Sequence, residues 1–164
     1  MEKELVNEIE RTASELLQVV DGFAQPVFNT VPFEGSWTPG QVAEHIYLSA
    51  SGILTTVNGN MGPTARDPRQ MVAPLRDAFL NFDIKMQSPD FILPSDQPKD
   101  KALMRQSLQE VFAGLAQTAG TEDLLVTCLD FDMPMVGPMT RLEWLSFVVA
   151  HTQRHIWQLK KMTA

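Results

Sequence analysis

The sequence predicts an all-α protein, a four-helix bundle forming one domain over residues 1–164. Three observations carry that reading. Four long stretches repeat apolar residues at helical spacing. Two of them open on a threonine-led capping box. Proline and glycine punctuate the segments between them.

The first helix is expected from about Lys3 to Val27, where Leu5, Ile9, Leu16, Val20, Phe23 and Val27 recur with charges between them. The second opens at Thr38-Pro39-Gly40-Gln41, with threonine as N-cap, proline at the first helical position and glutamine at the third. It runs to about Val57 and stops at Asn58-Gly59-Asn60, with Val42, Ile46, Ile53 and Val57 on its core face. A long crossover follows, punctuated by Pro63, Pro68, Pro74, Pro89 and Pro94, with one short helix expected within Pro74–Met86. Loops of that length are uncommon unless functional or disordered, and Phe79, Phe82, Phe91 and Ile92 favour packing. The third helix is expected from about Pro98 to Ala119, with Leu103, Leu108, Val111, Phe112 and Leu115 as its apolar face and Gly120 as its stop. Leu124 to Val136 reads as an extended connection across one end of the bundle. The fourth helix opens at Thr140-Arg141-Leu142-Glu143, a second capping box, and runs almost to the C-terminus.

Composition excludes several classes. A length of 164 residues suffices for a real core, and the 44% apolar share is that of an ordinary globular protein. The net charge of −7 is spread along the chain and argues against nucleic acid or an anionic membrane as partner. No apolar run approaches the roughly 18–20 residues of a membrane span. The acidic, helical N-terminus does not read as a signal peptide, so a cytoplasmic location is expected. The lone cysteine, Cys128, rules out an internal disulfide and reads as a small buried apolar residue.

All three histidines of the chain fall on helices. His151 and His155 are four apart, one turn above each other on one helix face. His45 lies on the second helix. Three imidazoles from two packed helices are expected to hold a divalent metal, zinc, nickel or another first-row ion, with a coordination position left open. Such an open position permits catalysis, since a water on zinc has its pKa lowered to roughly 7. The nucleophile would be that water or a metal-bound thiol. His151-Thr-Gln-Arg-His155 differs from the zincin His-Glu-x-x-His, because Thr152 occupies the place of the base.

Angular position at about 100° per residue places a pocket over the metal. On the second helix Gln41, His45, Ser49, Gly52 and Thr56 share a stripe of small or polar residues that leaves room. On the fourth, Trp144, Val148, His151, His155, Leu159 and Met162 share an apolar stripe turned inward. Ser49, Gly52, Thr56, Trp144 and Val148 are therefore the expected pocket residues. Trp37 is expected to staple the second helix onto the bundle. Glu44, Glu143 and Arg154 are expected on the solvated surface, Arg154 with the alternatives of a carboxylate partner or the pocket rim. The nine methionines are expected as flexible core filler.

Two blocks resemble the DinB/YfiT-like superfamily. One is Ser36-Trp37-Thr38-Pro39-Gly40-Gln41 leading into a helix with Glu44-His45. The other is Gly137-Pro138-Met139-Thr140 leading into a helix with His151-Thr152-Gln153-Arg154-His155-Ile156-Trp157-Gln158-Leu159. The resemblance spans the whole chain in order and spacing. It implies an up-down-down-up bundle with a long crossover between helices two and three, a zinc or nickel ion on His45, His151 and His155, and a homodimer. It implies thiol chemistry as well, since characterised members activate a low-molecular-weight thiol, as in bacillithiol- and mycothiol-dependent transferases and isomerases. Others are described only as metal-dependent hydrolases. Tyr47 and Leu48 depart from the small or acidic residues that relatives often carry there, so relatives' substrate contacts do not transfer.

The expected function is thus a metal-dependent enzyme acting on a small molecule, with low-molecular-weight-thiol S-transfer preferred because no carboxylate base shares the metal face. The alternatives are a metal-dependent hydrolase, a non-catalytic stress-response module whose metal is structural or regulatory, and an interaction bundle with no metal.

Overall fold

A computed structural model describes residues 1–163. Its elements are α1 (Glu2–Asp21), α2 (Gln25–Phe28), α3 (Pro39–Val57), β1 (Met61–Gly62), α4 (Val72–Phe79), a 3₁₀ turn (Asp90–Ile92), α5 (Lys101–Thr121), β2 (Thr127–Cys128) and α6 (Arg141–Met162). The four long helices α1, α3, α5 and α6 form the bundle, and their inward faces meet in one core that includes Ile9, Leu16, Ile46, Leu108, Leu115 and Leu145. No helix among the described residues is long and apolar enough to cross a membrane.

Contacts at the helix ends fix the directions. β1 follows α3, β2 follows α5, and the two pair antiparallel with Met61 opposite Cys128. The C-termini of α3 and α5 therefore lie at the same end. Arg141, the first residue of α6, donates to the carbonyls of Val57 and Asp123 at that end. Arg105 near the start of α5 pairs with Asp21 at the end of α1 at 2.7 Å. The order is up-down-down-up, as expected.

Both capping boxes form. The Thr38 hydroxyl accepts from the Gln41 N–H at 3.1 Å, and Gln41 Oε1 accepts from the Thr38 N–H at 3.0 Å. Thr140 and Glu143 repeat the exchange at 3.2 and 2.8 Å. Gly40 is needed for close approach, since a Cβ there would lie 3.0 Å from the Phe28 carbonyl.

Several boundaries differ from expectation. α1 ends at Asp21 instead of Val27. Pro26 has no N–H for the Gly22 carbonyl, so the helix cannot pass through it, but it fits the first turn of α2. α5 begins at Lys101, capped by Asp100, and runs through Gly120 to Thr121. Leu103 is 65% exposed instead of core; five residues from Leu108, it lies about 140° round the helix. The crossover helix is Val72–Phe79, shorter than expected. The connection after α5 contributes β2, which pairing with β1 locks across the bundle end. Cys128 is fully buried there, as expected, and burial pushes its thiol up to about 11.

Glu143 is a larger correction. Expected in solvent, its side chain is fully buried. Its carboxylate accepts two bonds of 2.7 Å from Arg66 and one of 2.9 Å from the Met71 N–H, besides its cap bond. The crossover folds over the start of α6 and supplies those donors, which helix periodicity cannot reveal.

Candidate metal centre

α3 and α6 pack against each other along the faces that carry the histidines. The capping boxes fix where each helix starts, and hence where each imidazole points. His45 Nε2 lies 3.1 Å from His151 Nε2 and 3.0 Å from His155 Nε2. One nitrogen from each ring lies within 4.8 Å of the other two, an arrangement that can hold a metal ion. His45 and His151 are buried and His155 nearly so.

The donor set fits a divalent cation. The His45 Nδ1–H donates to the Ile92 carbonyl at 2.8 Å. The His155 Nδ1–H donates to Gln158 Oε1 at 2.8 Å. Each bond commits the proton to Nδ1 and leaves a lone pair on Nε2. Two such lone pairs facing at 3.0 Å repel unless a cation lies between them. Two metal–nitrogen bonds of about 2.0–2.1 Å span that separation comfortably. A proton is a poor substitute. Burial lowers the His45 pKa, against the opposing pull of the Ile92 carbonyl. Burial, then the His45 ring beside it, brings His155 down to about 3. Burial and both neighbouring rings hold His151 well below its ordinary value. All three imidazoles are therefore neutral at pH 7, the form that ligates metal.

The surrounding shell is aromatic. The Trp37 ring sits 5.2 Å from that of His45, and Phe147 and Phe79 lie 5.5 and 6.0 Å from His151. On one side the three imidazoles line a cavity of about 660 Å³. That volume falls in the range of small-molecule sites. The crossover and the connection after α5 form its outer wall, through Met86, Phe91, Ile92, Phe131 and Met133 among others. Among the described residues that line it there is no aspartate, glutamate or lysine, and Arg154 is the one side chain carrying a full charge.

A sequence profile of the DinB superfamily matches residues 8–159. The chain belongs to the DinB superfamily. Among solved structures it is similar to the crystal structure of TT2238, described as a four-helix bundle protein. The identity is 19% and the TM-score 0.59, over 98% of this chain and 99% of that one. That likeness shows the fold. No curated protein sequence matches the chain.

In this DinB-superfamily chain Ser49, Gly52, Thr56 and Trp144 line the cavity with the three histidines. A Cβ on Gly52 would meet nothing within 4 Å, so the small-residue stripe of α3 does face open space. Val148 does not line the cavity and is fully buried in the core. It stands about 60° round α6 from His151, on the side turned to the other helices. Phe147 and Arg154 take the opposite side and do line it. Their spacing to His151, four and three residues, is the helical signal that finds them.

Arg154 takes the pocket-rim alternative: it borders the cavity, and among the described residues it has no carboxylate partner. Its guanidinium donates to the carbonyls of Phe79, Asn81 and Ile84 and ties the crossover to α6. Glu44 is likewise engaged, 2.7 Å from the buried Lys99 amine and 2.9 Å from the Ser95 N–H. Trp37 packs on the bundle as expected, against a metal-ligand candidate. Of the nine methionines, Met86, Met133 and Met135 line the cavity instead of filling core. Gln158 sits one turn beyond His155, so its role was open to a helical-wheel reading. The Ile92 carbonyl has no sequence signature at all.

Proposed function

We propose that this protein is a metal-dependent enzyme that transfers the sulfur of a low-molecular-weight thiol to a small electrophile. The observation that carries the reading is the cavity wall: three neutral imidazoles converge beneath a pocket with no carboxylate or lysine among its described lining residues. A water bound to a divalent ion there would ionise without a base, but hydrolysis of an ester or amide also needs a proton donor for its leaving group, and no side chain of the wall is suited to that. A thiolate that displaces a stable anion needs none.

His45, His151 and His155 would hold a zinc or nickel ion. When bound, such an ion supplies Lewis acidity, which ionises a thiol placed beside it at neutral pH. The Ile92 carbonyl and Gln158 hold the His45 and His155 rings in the ligating tautomer. Trp37, Phe79 and Phe147 exclude water from the histidine side. Ser49, Gly52 and Thr56 leave room for the two reactants. In the transfer a carbon–sulfur bond forms, the leaving group departs with the electron pair, and the thiol proton goes to solvent. In this reading the protein works as a cytoplasmic homodimer on a small molecule, with neither nucleic acid nor membrane as partner.

The test uses protein purified without a histidine tag and loaded with zinc or nickel. It is offered bacillithiol, mycothiol or glutathione together with 1-chloro-2,4-dinitrobenzene. A rate that requires one thiol and vanishes on chelation or in His155→Ala is expected. Cleavage of esters or amides with no thiol dependence would reverse the assignment to hydrolysis.

A further inference from the structure

Arg154 borders the cavity and carries the one full charge among its described lining residues. A guanidinium has five N–H donors. The carbonyls of Phe79, Asn81 and Ile84 accept from Nη1 and Nη2 only, and the Nε–H meets no acceptor among the described residues. That donor is reachable. The described side-chain atoms buried without a partner are Trp144 Nε1, His151 Nδ1 and Thr152 Oγ1, and Arg154 Nε is not one of them. The cavity rim thus holds an accessible, unused donor on a charged group.

The charge is unbalanced as well. Of the arginines that the fold at least partly buries, Arg66, Arg105 and Arg141 each pair with a carboxylate, and Arg154 pairs with none among the described residues. Asp90 and Asp132 neighbour lining residues in sequence, but both are exposed and neither lines the cavity. In a chain of net charge −7 the cavity wall therefore carries only a positive one. A charge set in a low-dielectric wall attracts its counterpart more strongly than one in bulk water. The rest of the wall is apolar and aromatic. Phe79, Phe91, Phe131 and Phe147 border the space, with the Phe131 ring 5.6 Å from that of Phe91. Such a wall favours one negative charge on an apolar body, because the second charge of a dianion would lie unpaired against phenylalanine.

We propose that this cavity binds an aromatic or otherwise apolar monocarboxylate, its body against the phenylalanines and its carboxylate on the Arg154 guanidinium. Arg154 is then a specificity residue as well as a tie to the crossover, holding three carbonyls through Nη1 and Nη2 and the ligand through Nε–H. This names the substrate class of the site and rests on reading the cavity as a substrate site, but the binding requires neither a metal nor turnover.

The test compares 2-naphthoate with 2-naphthamide, which share a shape and differ in charge, by equilibrium dialysis at neutral pH. The protein is kept in chelator, so that no metal supplies the attraction. Wild type is expected to hold 2-naphthoate about five- to tenfold tighter than 2-naphthamide. Arg154→Met is expected to lose that preference while still binding 2-naphthamide. Arg154→Lys gives up the guanidinium fork but keeps the charge, and is expected to retain most of the preference. Nitrogen-15 NMR of wild type gives a reading that does not depend on a variant folding: 2-naphthoate is expected to move the Arg154 Nε–H proton resonance downfield, and 2-naphthamide to leave it in place. Equal affinity for the two probes, or binding of neither, would overturn the proposal. So would an unmoved Nε–H resonance, or a preference that survives in Arg154→Met. Equal loss in the methionine and lysine variants would also overturn it, by tracing the preference to the shape of the crossover. A 2-naphthoate preference in protein that shows no thiol-dependent rate upholds this proposal while removing the transferase reading, and a thiol-dependent rate without the preference does the reverse.

Discussion

His45 and His155 face each other across the α3–α6 interface with their Nε2 atoms 3.0 Å apart, each ring having given its Nδ1–H to an oxygen. That contact is repulsive in the bare protein and attractive around a cation. A ligated metal should therefore stabilise the fold. At free zinc one hundred times its dissociation constant the gain is about 2.7 kcal/mol. For a chain of this size that raises the melting temperature by roughly 5–10 °C. His45→Ala should abolish both stoichiometric metal and the zinc-dependent shift, read by elemental analysis and differential scanning fluorimetry.

Gln158 would act on a bound metal only through His155, whose Nδ1–H it accepts. Gln158→Met removes the acceptor on Nδ1 and frees the ring to turn and change tautomer. Metal affinity should fall about 10–100-fold with the fold intact, measured by competition with a chromogenic chelator. Gln158→Glu keeps an acceptor and should retain or tighten binding. Equal affinity in wild type and Gln158→Met would mean that packing alone orients the ring.

The pH dependence has a definite sign. Burial lowers the folded-state pKa of all three histidines, His155 to about 3, from 6.5. The unfolded chain then binds more protons below pH 6.5. Stability of the metal-free protein is full above that value and falls as pH drops toward 3, by up to about 1.4 kcal/mol per pH unit for each site. Urea midpoints in chelator should be lower at pH 5.5 than at 7.5. His155→Leu should flatten that slope.

Glu143 titrates in a lower window. Burial pushes its carboxyl up, but the bonds from Arg66, Thr140 and Met71 outweigh that and bring it below 4.5. Its stabilising contribution is present above the ordinary carboxylate value and is lost as pH falls beneath it. Glu143→Ala removes the carboxylate half of the α6 capping box, with Thr140 still the N-cap, and leaves Arg66 without its carboxylate partner. The cost should be about 2–4 kcal/mol, toward the lower end because Arg66 is partly solvated, measured by urea denaturation at pH 7.

The fate of these two glutamate and glutamine side chains shows where sequence reading succeeds and where it stops. Capping boxes and the His151/His155 pair are local, set by spacings of three and four residues on one helix, and they formed as expected. Gln158 was within the same reach. Glu143 was not, because its burial depends on where the proline-rich crossover runs. The same holds for Ile92, whose carbonyl orients His45, and for Phe91 and Phe131, which close the cavity. Val148 failed for a finer reason. A stripe some 80° wide contains both the cavity side and the core side of α6, and helical spacing alone does not say where the boundary falls.

Arg154 connects the two halves of the site. It stands beside His155 in sequence and donates to the carbonyls of Phe79, Asn81 and Ile84. The same crossover places the Ile92 carbonyl on His45. Arg154→Met keeps much of the apolar stem and removes the donors, so three backbone carbonyls lose the guanidinium, Asn81 keeping only the Ile84 N–H. Amides of residues 81–92 should then exchange with solvent more than about tenfold faster, while those of α1 and α5 stay protected. A structural pin predicts a further coupling. Saturating zinc, by fixing His45 and through it Ile92, should restore part of that protection in Arg154→Met. Exchange that rises uniformly over the chain would instead mark Arg154 as a general stability residue, and exchange unchanged in 81–92 would show that the crossover is held by its aromatic packing.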